Sequence, residues 1–281
     1  MMETASKPDH DHKTEEIWRL YMTTGEVPDY VGQPWFKAKT LKSLFSHLPA
    51  DPRCLICHYP LEGIGGKVSK LFFGLEPSPL NPYICNTCEI FARSYQGGTE
   101  VEMSLLFADV RGSTSLAEKM SPVNYSLLIN RFYRAATKVL FNAHAMVEKL
   151  IGDAVNGFFV PGFAGPQHAR IAVEAGAKIL KATGHDSPGG PWIQVGVGVH
   201  TGVAYVGAVQ AEGGAVTISV LGDEVNAAAR LGSLAGPGEL IASAAAIQAA
   251  GLATQGMQPR RLELKGRSEP MDAWVIRVQA E

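Results

Sequence analysis

The apolar and polar positions of the chain follow two periods, and in its later part these predict alternating strands and helices. The first clear strand is an apolar run, Leu105 to Phe107, which leads to Asp109 and then into a Gly-Ser-Thr turn. A helix should follow this turn, capped by Ser113 or Thr114, and its free N–H groups would suit phosphate oxygens. The pattern therefore predicts a strand that delivers a carboxylate to a phosphate-binding corner.

The later elements continue the alternation. Two strand-like segments are joined by Gly152-Asp153, a hairpin signal, while Ser121-Pro122 marks a helix start and Asp223 can cap another helix. In order, we predict a helical region 115–143, strands 146–151 and 154–160, helix 168–183, strands 193–200, 204–210 and 215–221, helix 224–234, a short alanine-rich helix and a strand at 273–278. This β-α-β-β-α-β order with added elements predicts an α+β fold with a ferredoxin-like, antiparallel sheet.

The N-terminal third has a different pattern. Residues 1–14 are polar, and we predict a disordered tail. Residues 15–98 show helical spacing on two short segments, the second around Leu41 to Phe45, before a stretch rich in proline and glycine. The chain then passes through Gly97-Gly98, where we place a boundary, and residues 99–281 are assigned to one larger domain.

Four cysteines lie in the turn-rich stretch as two C-x2-C pairs: Cys54, Cys57, Cys85 and Cys88. The spacing favours a small metal-binding domain in which four thiolates hold a structural zinc ion. An iron–sulfur cluster and a redox-active dithiol stay open as alternatives, because the spacing of the cysteines does not fix the metal.

Composition narrows the class of protein. The chain has 281 residues, 46% of them hydrophobic and 19% charged, which is enough for a substantial globular core. Lys and Arg number 25 against 27 Asp and Glu, so the chain lacks the basic excess of a nucleic-acid binder. It shows no targeting signal and no apolar run suited to a membrane, and we expect a cytoplasmic protein without membrane or nucleic-acid partners.

Two carboxylates stand at predicted strand ends. Asp109 follows the first strand, and Asp153 lies in the hairpin turn that comes later. Converging carboxylates suit Mg2+, which takes oxygen ligands and completes its shell with substrate phosphates. Turn chemistry alone is the alternative for Asp153.

Several motifs resemble the catalytic domain of the class III adenylyl and guanylyl cyclases. They are Phe107-Ala-Asp-Val-Arg-Gly-Ser-Thr114, Lys149-Leu-Ile-Gly-Asp153, Gly198-Val-His-Thr-Gly202, Leu221-Gly-Asp-Glu-Val-Asn-Ala-Ala-Ala-Arg-Leu231 and Leu264-Lys-Gly-Arg-Ser-Glu-Pro270. The resemblance runs from Val101 to Val278 and leaves the cysteine region outside it.

The resemblance implies a lyase that converts ATP to 3′,5′-cyclic AMP and pyrophosphate with two Mg2+ or Mn2+ ions per active site. It implies that Asp109, the Val110 carbonyl and Asp153 bind these ions. Asn226 would orient the ribose, and Arg230 would stabilise charge on the α-phosphate. The other residues implied in substrate binding are Lys149, Ser219, Phe107, Gly112, Ser113 and Thr114.

Base choice rests on Lys149 and Ser219, which stand where the family places its purine-selecting pair. Lys149 can only donate hydrogen bonds, which suits adenine N1 and favours ATP. Ser219 can donate or accept, so a guanylyl cyclase stays an alternative. A catalytically inactive, cyclase-like zinc-containing interaction protein is a third possibility, although the chain retains all of the residues named above.

The resemblance also implies an assembly. In the family, the metal-binding and nucleotide-binding residues of one active site come from two catalytic domains. This chain carries each set once, so the resemblance implies a head-to-tail homodimer with two composite sites.

Overall fold

The computed structural model describes residues 8–28, 31, 52–78, 84–210, 216–264, 267 and 269–278, without the side chains of residues 8–11, 148–151 and 210. The second N-terminal helix expected around Leu41 to Phe45 lies outside these residues. Residues 1–7 of the expected tail also lie outside them, whereas the first helix begins at Pro8, inside the segment 1–14.

The described helices are α1 (Pro8–Thr24), α2 (Gly63–Phe73), α3 (Asn86–Ser94), α4 (Ser113–Lys119), α5 (Pro122–Asn142), α6 (Pro161–Ala164), α7 (His168–Ala182), α8 (Asp223–Leu234) and α9 (Ala244–Ala249). The described strands are β1 (Gly98–Val110), β2 (Met146–Ile151), β3 (Ala154–Phe159), β4 (Val195–Gln210), β5 (Val216–Leu221), β6 (Glu239–Ser243), β7 (Gln258–Leu262) and β8 (Met271–Arg277). No helix among the described residues is long and apolar enough to cross a membrane.

The strands form one mixed sheet in the order β2-β3-β1-β4-β6-β8-β7, and β5 pairs with β4. The first four strands have the ferredoxin-like order that the sequence predicted. The strands added to this core include one parallel pair, since β6 pairs in parallel with β4. The connection between these two strands contains helix α8, and a crossover of this kind allows parallel pairing.

Strand β4 is another difference from prediction. We expected two strands on either side of Thr201-Gly202, but a single strand runs from Val195 to Gln210. Gly202 serves close packing at this point rather than a turn, since a Cβ atom there would lie 2.9 Å from the Glu224 Cγ atom. Strands β6 and β7 and helix α2 were not predicted.

Helix α5 shows how local signals fix the framework. Ser121 is its N-cap and accepts the Asn124 N–H at 3.3 Å, as the Ser-Pro signal predicted. Its buried positions recur every three or four residues and form one apolar face: Ile129, Phe132, Ala136 and Leu140. This face supports the hairpin that contains Asp153, because Gly157 of β3 leaves room for the Leu140 side chain.

The chain divides into two compact units. One comprises residues 1–101, 161–163 and 204–221, and the other comprises 102–160, 164–203 and 222–281. The predicted boundary after Gly98 stays a prediction, but the unit that holds the cysteines also contains two later segments of the chain.

Candidate active site

Asp109 and Asp153 lie at the same end of neighbouring strands. Asp109 pairs in register with Ala154, directly after Asp153 in the β2–β3 turn. The Val110 N–H donates to the Asp153 carbonyl at 3.0 Å, so the two segments are joined by backbone. Burial raises the pKa of Asp109, Arg111 lowers it and the charge of Asp153 raises it further. The strand register and the Val110–Asp153 hydrogen bond therefore place the two acidic residues next to each other.

Arg111 is a site residue that the sequence reasoning missed. Its Nη2 atom forms an ion pair with Asp109 Oδ2 at 2.5 Å, and Nη1 donates to the Ser233 carbonyl at 2.8 Å. Its backbone N–H donates to the Gln194 carbonyl at 2.8 Å. The guanidinium is thus fixed between the end of β1 and the last turn of α8. A cation two residues after a candidate metal ligand was the available signal.

The donor set suits a hard divalent cation. Asp109, Asp153 and the Val110 carbonyl offer only oxygen, which Mg2+ and Mn2+ prefer. Arg111 engages one oxygen of Asp109, which leaves Oδ1 as its donor for a metal. Asp153 is partly exposed, so a bound ion could also reach substrate phosphates.

The Gly112–Thr114 turn leads into α4, but the predicted cap is wrong. The helix begins at Ser113, and its N-cap is Gly112 in the left-handed region (φ 68°), without a side-chain cap. Glycine adopts this conformation without the strain that a Cβ atom would bring. The backbone N–H groups of the first turn have no partners within the helix, as at any helix start.

Phe107 and α8 approach each other closely. The Phe107 ring is 6.3 Å from the Phe158 ring, in an edge-to-face arrangement. A Cβ atom at Gly232 would lie 3.0 Å from Phe107 Cβ, so glycine allows the helix to approach β1. This contact fixes α8 against the strand that carries Asp109.

Asn226 and Arg230 lie one turn apart on α8, as their spacing predicted. Asn226 is exposed and Arg230 is half-buried, while Ala227 and Leu231 fill the buried face of the helix. Arg230 has no ion-pair partner among the described residues. Both side chains are therefore available to bind a ligand.

The first turn of α8 differs from prediction. Gly222 is the N-cap, and Asp223 is the first helical residue. The Asp223 carboxylate instead accepts from Arg267 Nε at 2.7 Å, and Glu224 accepts from Arg267 Nη2 at 2.7 Å. Glu224 also contacts the buried ring of His200 on β4. Ionic contacts, rather than a side-chain cap, hold this end of the helix.

Of the two residues predicted to select the base, the structure describes the side chain of Ser219 but not that of Lys149. Lys149 lies on β2, but its side chain is outside the described residues. Ser219 is buried on β5 and is paired in register with Gly207 of β4. The base-reading role of both residues stays a prediction.

The four cysteines form a second candidate metal site. All four are buried, and their sulfur atoms lie within 4.8 Å of one another. The Cys85 N–H donates to Cys54 Sγ at 3.3 Å, and the Cys88 N–H donates to Cys85 Sγ at 3.4 Å. The structure therefore brings all four predicted cysteine ligands together.

Comparison with known sequences identifies a family. A family model described as the adenylate and guanylate cyclase catalytic domain matches residues 97–277. The uncharacterized protein Rv1318c of Mycobacterium tuberculosis is 32% identical over 183 residues, which is 64% of this chain and 33% of that protein. An adenylate cyclase of Anabaena cylindrica is 31% identical over 136 residues, which is 47% of this chain and 27% of that protein. The chain thus spans a third or less of the length of these relatives.

Solved structures share the fold. The guanylyl cyclase Cya2 aligns with a TM-score of 0.59 and 23% identity, over 66% of this chain and 95% of Cya2. The adenylyl cyclase CyaB from P. aeruginosa aligns with a TM-score of 0.56 and 24% identity, over 65% of this chain and 97% of CyaB. Since both kinds of cyclase are similar to it, the fold does not distinguish adenine from guanine. The matched region begins at residue 97 and leaves the cysteines outside.

Proposed function

The chain belongs to the adenylate and guanylate cyclase catalytic domain family, and on that premise we propose that it is an adenylyl cyclase. The observation that carries the proposal is the pair Asp109 and Asp153, joined by the backbone hydrogen bond from Val110 to Asp153. The substrate would be ATP, and the products would be 3′,5′-cyclic AMP and pyrophosphate. The ribose 3′-hydroxyl would lose its proton to solvent and its oxygen would form a bond to the α-phosphorus. The bond from that phosphorus to the α,β-bridging oxygen would break, and pyrophosphate would leave with the bonding electron pair.

The residues divide this work between them. Asp109, Asp153 and the Val110 carbonyl would hold two divalent ions, which supply Lewis acidity at the 3′-hydroxyl and the triphosphate. The N–H groups of the Gly112–Thr114 turn would donate to phosphate oxygens. Arg230 would donate to the α-phosphate oxygens as their charge develops, and Asn226 would hold the ribose in line for attack.

Base selection is the finer part of the proposal. Lys149 would donate to adenine N1, which carries no hydrogen, whereas the N1–H of guanine would oppose a second donor. Ser219 is buried, and a mismatched group there would cost about 1–3 kcal/mol. Its hydroxyl can also donate to a guanine carbonyl, and this supports guanylyl cyclase activity as the second candidate function.

We also propose that two chains form a head-to-tail homodimer. Asp109 and Asp153 of one chain would share a site with Asn226 and Arg230 of the other, which gives two equivalent sites. The exposed Asn226 and the absence of an ion pair at Arg230, within the described residues, support this division.

The direct test measures products. Full-length protein with Mg2+ or Mn2+ should form cyclic AMP and pyrophosphate from ATP, with a higher kcat/KM than for GTP. Equal or greater turnover of GTP would make the protein a guanylyl cyclase. If neither nucleotide is converted by folded, metal-supplied protein, the inactive interaction protein becomes the better description.

Complementation tests the composite site. Asp109→Ala and Arg230→Ala chains should each be inactive alone. Mixed at equal amounts with full exchange, they should recover about a quarter of wild-type activity, since half of the dimers are mixed and each has one intact site. If a mixture shown to contain heterodimers had no cyclase activity, the shared site would be contradicted.

A further inference from the structure

The separations of the four cysteine sulfurs fit one tetrahedral ion. Cys54 Sγ lies 3.8 Å from Cys88 Sγ, and Cys57 Sγ lies 3.6 Å from Cys85 Sγ. A zinc ion with Zn–S bonds of about 2.3 Å requires S···S separations of about 3.8 Å. An iron–sulfur cluster places several atoms between its thiolates, and sulfurs that all lie within 4.8 Å of one another leave too little space for it.

The cysteine site is directly connected to the β4–β5 hairpin, which belongs to the same compact unit. Cys85 is the N-cap of α3 and Cys88 lies in its first turn, while the helix packs against β5. Strand β5 carries Ser219. The cysteines therefore fix the helix on which the proposed base-reading strand rests.

The segment after α3 makes a second contact with this hairpin. The Gly97 carbonyl accepts the Ala208 N–H at 2.8 Å. A Cβ atom at Gly98 would lie 2.3 Å from the Val206 carbonyl oxygen, and one at Gly207 would lie 2.3 Å from the Gly97 oxygen. Glycines at these positions allow backbone to rest on backbone, so movement of α3 would be transmitted to β4.

Aromatic contacts connect α3 with α1 and with the segment that follows β3. The Tyr21 ring of α1 lies 5.2 Å from Phe91 of α3 and 5.1 Å from Phe163, which follows β3. A Cβ atom at Gly162 would lie 2.5 Å from the Tyr21 carbonyl oxygen. Tyr21 thus connects α3 with the short segment 161–163, which belongs to the same compact unit.

We propose that the four cysteines bind a single structural zinc ion that holds the β4–β5 hairpin in place and thereby supports nucleotide recognition through Ser219. The part concerning nucleotide recognition rests on the proposed function. The zinc site and its mechanical connection to the hairpin do not. Loss of the ion leaves four buried thiols without their common partner, which loosens α3 and then β5.

Metal analysis of the full-length protein is the first experiment. It should find one zinc ion per chain, released when the four thiols are titrated with a mercurial reagent. Replacement by Co2+ should give the visible absorption of a tetrahedral thiolate site. Iron in place of zinc, or no stoichiometric metal in folded protein, would overturn the proposal.

Hydrogen exchange tests the connection to the hairpin. After zinc removal from intact protein, amides in 204–221, including that of Ala208, should exchange about tenfold faster or more. Amides of β3, which lies in the other unit, serve as the internal control and should change less than about twofold. Zinc restoration should reverse the change, and unchanged exchange in 204–221 would overturn the connection.

A pair of variants separates zinc loss from general damage. Cys57→Ser should lose zinc and hairpin protection, whereas Cys57→His should keep both, since three thiolates and one imidazole form a known structural zinc site. If Cys57→Ser does not fold, the reversible removal above provides the same comparison. Equal exchange in the two folded variants would contradict a zinc-dependent hairpin.

Nucleotide binding provides the last comparison. Zinc removal should weaken binding of a fluorescent ATP analogue about tenfold, since an unanchored hairpin must be ordered when the nucleotide binds. Unchanged affinity would overturn the role in recognition. A protein that binds zinc and protects its hairpin but forms no cyclic product would refute only the proposed function.

Discussion

The four-cysteine site and the carboxylate site differ in how far the chain completes them. The cysteines are buried and bring four ligands to one point, so their site has no open position for substrate. The Asp109 side chain is 26% exposed and Asp153 is partly exposed, and these two side chains leave most of a metal shell to other ligands. Structural metal sites are closed and catalytic ones stay open. Burial and ligand number therefore distinguish a site that holds the fold from one that receives a substrate.

Loss of one of the two proposed metal-binding carboxylates should have the largest effect, and it should leave the cysteine site unchanged. Asp109→Asn and Asp153→Asn should each lower kcat by about a thousandfold or more, because each removes a charged ligand from the metal pair. Zinc content and the thermal midpoint should stay close to wild type. Cyclase assays and metal analysis check both statements, and the exposed Asp272→Asn is the matched control. A variant that also lost zinc would show that the two sites depend on each other.

Arg230→Lys tests the nucleotide-binding side of the site. The charge remains but the two-pronged guanidinium is lost, so kcat should fall about a hundredfold with a smaller change in KM. Steady-state kinetics measure the separation of the two constants. Arg134→Lys, at an exposed position on α5, should leave both unchanged. A hundredfold rise in KM with unchanged kcat would instead show that Arg230 binds the substrate and the transition state equally well.

Arg111→Gln tests how the positive charge of Arg111 affects metal binding at the carboxylate site. Backbone contacts with Gln194 and Ser233 hold Arg111 in place, so its positive charge stays beside any bound metal. Its removal should tighten Mn2+ binding about tenfold by relief of repulsion. The kcat value should fall about tenfold, since Asp109 loses the group that orients it.

Electron paramagnetic resonance of free Mn2+ measures this affinity without catalysis. Arg261→Gln, at a largely exposed position on β7, is the control. Weaker Mn2+ binding by Arg111→Gln would show that orientation of Asp109 outweighs charge repulsion.

The carboxylate pair could be predicted from residues close together in the sequence, whereas contacts between distant parts of the chain could not. The Gly152-Asp153 turn and the strand before Asp109 are set by neighbouring residues, so a hairpin register could bring the two acids together. The contact of Arg111 with Ser233 spans 122 positions, and no periodicity encodes it. Helix α2 was missed because its glycines disfavour a helix, although Gly66 is needed where a Cβ atom would lie 2.7 Å from the Leu61 carbonyl oxygen.

The unit that contains Asp109 and Asp153 also contains a cluster of ion pairs around Glu239, which we call the ionic staple. Both Glu239 oxygens accept hydrogen bonds from Arg260, at 2.9 and 3.0 Å, and Arg277 and the Gly236 N–H also donate to it. The hydrogen bonds from Arg260, opposed by burial and aided by Arg277, lower the pKa of Glu239 to about 2. The residue thereby connects β6, β7 and β8.

Glu239→Gln should lower the free energy of unfolding by about 2 kcal/mol at neutral pH. Because the folded-state pKa is depressed, this stabilisation is complete above the ordinary pKa of 4.5 and disappears as pH falls towards about 2. Denaturant unfolding at several pH values measures the difference from wild type, with the exposed Glu263→Gln as control. Because no metal takes part in the staple, zinc removal should leave the difference at neutral pH unchanged. A difference that vanished with zinc would mean that the Glu239 contacts form only when zinc is bound, and the distinction between metal-held and ion-pair-held regions would fail.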